Sequence, residues 1–224
     1  MTERPIEYAS SSRKGVAFFG RIMANVSHEF NNVITVISEL AGLLKDLSLM
    51  ARKGREIRPD KIESISDNIS RQVARGKHLI THMNRFSHSA DDTRSKTDLV
   101  QVVENVQVLT DRLFKNRQTG FSFSAPSEEC ALISDPFEMR HLLFSCLDCF
   151  LDASSPEVSV TLHHSENGTE LEIHLSGHVD GKLDDFSDRF DAVRERAAEL
   201  NGRLLYECNE SILQVRLTFP LNRE

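Results

Sequence analysis

The sequence predicts an α+β protein in two parts: an N-terminal antiparallel helical hairpin followed by an α/β sandwich. Three observations predict it. Apolar residues recur at steps of three and four over roughly the first 90 positions, as on a helix face. Beyond residue 97, short alternating runs that suit strands are interleaved with helical segments. The charge divides at the same place: residues 1–97 carry 16 Lys and Arg against 11 Asp and Glu, and residues 98–224 carry 11 against 23. The net of -7 is therefore +5 on one part and -12 on the other, which points to units with different partners.

The first helix follows from Phe19, Ile22, Val26, Phe30, Val33, Ile37, Leu40, Leu44 and Leu47, and is expected from about Arg13 to Ala51 after a flexible segment 1–12. Gly54 to Pro59 stops it. Ile62, Ile65, Ile69, Val73, Leu79 or Ile80, Met83 and Phe86 give a second helix, antiparallel because the connection is short. A lone hairpin spanning 13–90 leaves much of its apolar seam in water, so a homodimer that closes a four-helix bundle is expected. Residues 91–97 are polar and aperiodic and read as a linker. In the unit 98–224, helices are expected over about 98–117, 136–153 and 186–200. Short strands are expected at 120–124 and 131–133, a hairpin at 158–175 turning on Asn167-Gly168, and two closing strands at 204–207 and 213–219.

Several classes are excluded. At 39% hydrophobic and 27% charged residues the chain is neither disordered nor fibrous. No apolar run approaches the roughly 20 residues of a membrane span, and the first residues lack a signal-peptide core, so a soluble, cytoplasmic protein is expected, with no membrane partner. No helix-turn-helix or aromatic-basic surface suggests nucleic acid. Cys146 and Cys149 form a CxxC but lie in the apolar stripe Met139, Leu142, Leu143, Cys146, Phe150. They read as core rather than redox or metal groups. His78 and His82, four apart with no third ligand in view, read as a solvated helix face.

The informative stretch is Val26-Ser-His-Glu-Phe-Asn-Asn-Val-Ile34. With Val26 and Val33 on the seam, His28 falls on the solvent side in line with Arg21 and Thr35. Asn32 lies one turn above it, and Glu29 beside it. An exposed imidazole next to a carboxylate that can hydrogen-bond one ring nitrogen suits a nucleophile. It also suits an ordinary solvated helix face.

Ser27-His28-Glu29-Phe30-Asn31-Asn32 resembles the H-box of two-component sensor histidine kinases, and the likeness extends to the hairpin, the dimer and the α+β unit after it. The resemblance implies that His28 is the phosphoacceptor, that Glu29 assists proton transfer and that Asn32 positions water for dephosphorylation of a response regulator. Asp135 to Ala153 resembles the family's N-box helix, but its metal-binding Asn falls at Cys149 and the preceding Asn at Ser145. A thiol is a poor donor for Mg²⁺. The adenine-reading Asp is missing at Ser176-Gly177-His178, Asp188 and Phe190 replace the glycines expected to meet phosphates, and too few residues separate these points for a lid. The second unit is therefore expected to be a degenerate ATPase-like sandwich with no ATP and no bound metal.

A core of this kind is similar to the dimeric histidine phosphotransferases of bacterial phosphorelays. The resemblance implies receiver domains of response regulators as partners, with Mg²⁺ on the receiver, and phosphate passing from one receiver Asp to His28 and on to another. The basic hairpin suits an acidic receiver pocket. Arg21, Asn31, Thr35, Arg75 and Arg85 are the expected docking residues. The competing readings are a regulator that binds a receiver without carrying phosphate, by sequestration or as a phosphatase through Asn32, and an ATP-dependent autokinase.

Overall fold

The computed structural model describes residues 4–179 and 187–221. Helix α1 spans Arg4–Arg52 and α2 spans Pro59–His88. Gly54, at φ 75°, turns the chain between them in a conformation that suits a residue without Cβ. Helix α1 begins nine residues before the expected Arg13, so the segment 1–12, expected to be flexible, is helical from Arg4. Pro5 sits in the first turn, where its missing N–H has no intrahelical partner to lose. Ile22, Val26, Val33 and Leu47 are buried on α1, and Ile65, Leu79 and Phe86 on α2. Val16, Phe19, Ile34, Ile62, Val73 and Ile80 stay exposed and form the open side of the hairpin.

The expected linker is partly a strand. Strand β1, Ser95–Asp98, pairs antiparallel with β3, Ala131–Ser134, with Ser95 opposite Ser134 and Asp98 opposite Ala131. Thr97 is buried in that pair. Its partner strand lies more than thirty residues away, so local composition gave no sign of it. Asp98 then caps α3, Leu99–Asn116, by accepting from the amides of Val100 (2.9 Å) and Gln101 (3.4 Å). Asp135 caps α4, Pro136–Asp152, in the same way, at 2.9 Å to the amides of Phe137 and Glu138.

The main sheet contains β2 (Gly120–Ser124), β4 (Glu157–His164), β5 (Glu170–His178), β6 (Arg203–Asn209) and β7 (Ile212–Pro220) in the order β2-β4-β5-β7-β6. Only β2–β4 is parallel among these pairs. Alternation sorts β5 cleanly: Leu171, Ile173 and Leu175 are buried, while Glu172, His174 and Ser176 line the half-exposed face. The last helix, α5, is described from Ser187 to Glu199; its expected start at Phe186 lies outside the described residues. Cys146 and Cys149 are buried free thiols in the core, as their stripe predicted, and burial pushes the Cys149 thiol up to about 12.

The two parts share one core. Phe18, 4% exposed, leaves the hairpin and enters a cluster of rings: edge-on to Phe86 at 5.4 Å, beside Phe137 and Phe144 at 5.5 and 5.2 Å, and stacked on His141 at 4.4 Å. The buried apolar cluster runs without a break from Ile22, Val26 and Leu79 into the sandwich. A polar network reinforces the junction. Asn105 Nδ2 donates to the His82 carbonyl at 2.8 Å and lies 3.3 Å from His82 Nδ1, while Asn105 Oδ1 accepts from Arg140 Nε at 2.8 Å. His82 is thus buried, not on a solvated face as its spacing from His78 suggested, because α3 covers that side of α2.

Burial, and then the charges of His78 and Arg85, lower His82 from its ordinary 6.5 to about 4. The unfolded chain takes up this proton first as the pH falls, so stability should drop between pH 6.5 and 4 and level off below, by up to about 3 kcal/mol from this group. Urea unfolding across that range should give a flatter profile for His82→Gln. Equal slopes in the two proteins would remove His82 as a source.

Candidate functional site

The site lies on one stripe of α1. Lys14, Phe18, Arg21, Asn25, His28 and Asn32 follow at alternating steps of four and three and share a side of the helix. In the lower part of the stripe, Phe18, Arg21 and Asn25 contact the sandwich. Arg21 makes a two-pronged ion pair with Asp148 of α4, both bonds at 2.6 Å, and its guanidinium lies 5.0 Å from the Phe144 ring centroid. The buried Asn25 donates its amide to the carbonyl of Leu109 on α3. One turn above Asn25 the stripe opens, and Ser27, His28, Asn31, Asn32 and Thr35 are exposed. Val26 and Val33 are buried behind them, as the seam assignment required. Among the described residues no hydrogen bond or ion pair reaches the His28 imidazole, so its ring nitrogens are open to solvent.

Glu29 does not orient His28 in this structure. Its carboxylate is ion-paired with Arg75 of α2 and accepts a long bond, 3.4 Å, from Asn32 Nδ2. Consecutive helical residues point about 100° apart, so Glu29 meets the neighbouring helix more readily than the preceding side chain. The expected docking residues divide accordingly. Asn31 and Thr35 are free on the surface. Arg21 is committed to Asp148 and Arg75 to Glu29. Arg85 is half-buried at the junction, its charge facing His82 and Arg140.

The nucleotide-like features of the second unit have other occupations. On α4 the Ser145 hydroxyl donates to the His141 carbonyl at 2.8 Å and the Cys149 thiol to the Ser145 carbonyl at 3.3 Å. Both groups are turned onto their own helix. A cleft of about 370 Å³ between α1, α4 and α5 is walled on one side by Lys14, Phe18 and Arg21. Gly177 has a packing reason: a Cβ there would stand 2.7 Å from the Glu157 carbonyl oxygen and from Ser155 Oγ. Phe190 is fully buried and stacks on Tyr206 at 4.3 Å. The segment expected to be too short for a lid includes residues 180–186, outside the described residues. No group of three His, Cys, Asp or Glu residues suited to a metal occurs among the described residues, and none of their helices is long and apolar enough to cross a membrane.

Solved structures share this arrangement. The chain is similar to histidine kinase AdeS of Acinetobacter baumannii, at 13% identity and a TM-score of 0.50 over 88% of this chain and 98% of that one. It is also similar to the catalytic domain of histidine kinase ThkA in a nucleotide-free form, at 13% and 0.52 over 58% and 99%. The ATP binding domain of PrrB from Mycobacterium tuberculosis matches at 15% and 0.50 over 59% and 100%. The fold is that of a histidine-kinase core. A helical hairpin is followed by an ATPase-like sandwich. No protein-family model matches the sequence, and no curated protein does.

Sequence reasoning missed Phe18, Asn25 and Asp148, which fasten the histidine-kinase-like core together. The adjacent phenylalanines held a clue, since Phe18 and Phe19 cannot both face one seam. A double-mutant cycle on Arg21→Ala and Asp148→Ala should give a coupling of about 0.5–1 kcal/mol, given that both partners are partly solvated. Additive unfolding free energies would mean that the pair adds nothing to the docked state.

Proposed function

We propose that this chain is a histidine phosphotransferase of a two-component phosphorelay, carrying phosphate on His28 between receiver domains of response regulators. The observation that carries this reading is the open presentation of His28 on a stripe whose lower half is clamped to the sandwich. In the transfer, a free imidazole nitrogen attacks the phosphorus of a receiver's aspartyl phosphate. The P–N bond forms as the P–O bond breaks, and the aspartate leaves with the electron pair. Onward transfer reverses these roles with the carboxylate of a second receiver. Mg²⁺ belongs to the receiver, and water takes the ring proton.

The residues of the second unit do not fit a nucleotide and its metal. Ser145 and Cys149 are spent on α4, burial keeps the Cys149 thiol protonated, and Phe18 with Arg21 walls the cleft. The proposal therefore includes no ATP-dependent autophosphorylation and no cofactor on this chain. It also includes a homodimer, because the exposed row Ile34, Val73 and Ile80 is apolar surface that a second hairpin would cover. The setting is cytoplasmic, with neither nucleic acid nor membrane as partner.

Label from a phosphorylated receiver should appear on the wild-type chain and not on His28→Ala, and labelled ATP should give none. Loss of receiver phosphate without label on His28 would point instead to a phosphatase or sequestering regulator, and incorporation from ATP would overturn the nucleotide part. Separately, Ile34→Asp with Val73→Asp should halve the mass found by light scattering at micromolar concentration. A wild-type mass already equal to one chain would reject the dimer.

A further inference from the structure

We propose that Arg75 is a positioning residue for the His28 site: its guanidinium neutralises the Glu29 carboxylate beside the nucleophile and so admits an anionic phosphoryl donor. The proposal rests on the reading of His28 as the phosphoacceptor.

Glu29 follows His28 directly, yet its side chain is only 15% exposed and both its oxygens are occupied, Oε1 by Arg75 and Oε2 by Asn32. The guanidinium crosses from α2, where the helices lie close. Gly76, next to Arg75, is buried, and an added Cβ would sit 3.4 Å from Val33 and 3.8 Å from Phe30. Arg21, the arginine on the His28 stripe itself, is held by Asp148 two turns below. Arg75 is thus the cation paired beside the nucleophile. A phosphoryl donor is an anion, and an unpaired carboxylate one residue from the attacking nitrogen would repel it. With Arg75 in place the neighbouring pair is neutral, and Arg75, half-exposed, keeps part of its charge turned to solvent. At helix-neighbour separations in water, one uncompensated charge is expected to slow an anionic donor about threefold at low salt, and less as ionic strength rises.

Two small reagents test this without a receiver. Phosphoramidate is an anionic phosphoryl donor: the ring nitrogen attacks phosphorus, and ammonia departs as the donor's P–N bond breaks. Diethyl pyrocarbonate is a neutral acyl donor that reports nucleophilicity and exposure alone. The readout is the ratio of phosphorylation to acylation at His28, followed by peptide mass mapping. That ratio should fall about threefold in Arg75→Ala at low salt and approach the wild-type value at high salt. Arg75→Lys should keep it, and the double variant Glu29→Gln with Arg75→Ala should restore it, because the unpaired charge is gone. An unchanged ratio in Arg75→Ala overturns the proposal. So does a double variant as low as Arg75→Ala, which would mean that Arg75 acts on the phosphate directly. If no receiver labels His28, the phosphotransfer reading fails, while the reagent ratio still decides the role of Arg75.

Discussion

The packing of Phe18 into the sandwich is the contact on which the rest of the arrangement depends. An isolated helical hairpin has one buried seam, and α1 carries two apolar faces. Phe18 belongs to the second, and burying such a ring is worth roughly 1.5–3 kcal/mol. Its ring partners come from α2 and α4 alike, so this one side chain holds the hairpin, its neighbour helix and the sandwich in register. Arg21 and Asn25 extend that contact up the same stripe until His28, where protein cover ends. The exposure of His28 is therefore set by where the docked surface stops. It is not a general property of the helix.

The division of charge takes on a different meaning in this frame. The charges of +5 and -12 suggested two units with different partners. Instead they meet through a continuous core, and the Arg21–Asp148 pair is one place where the basic hairpin answers the acidic sandwich. Some of the hairpin's positive charge is likewise consumed within it, since Arg75 offsets Glu29. On the proposed function, the electrostatic attraction available to an acidic receiver is correspondingly smaller than the sequence count, and the shape of the open stripe has to carry more of the recognition.

Local periodicity and turn signals made most of the fold legible. The helices, the Asn167-Gly168 hairpin and the alternating strands each declare themselves within a short window. So did the placement of His28, because Val26 and Val33 fix the rotation of the helix. What escaped was everything decided by distant residues. Strand β1 is polar and becomes a strand through β3; His82 looks solvated until α3 covers it; Arg21 looks free until α4 supplies Asp148. The pairing of Glu29 with Arg75 has a local reason, since a helix separates neighbours in sequence by about 100°.

On the proposed function the sandwich binds no nucleotide, yet it has a physical reason to persist. If it were removed, Phe18, Ile22 and part of Phe86 would return to water together with the buried His82–Asn105–Arg140 network. Arg140 shows how far the junction depends on that network. It is buried, lowered to about 10 by desolvation and the charge of Arg85, and satisfied by the Asn105 side chain and the Pro136 carbonyl. A buried guanidinium held by neutral acceptors is stable only while each acceptor stays in place. The hairpin's geometry at His28 is thus tied to the folded state of the whole sandwich. On the proposed function, the ATPase-like unit serves as a brace that holds α1 in the rotation at which His28 faces its partner.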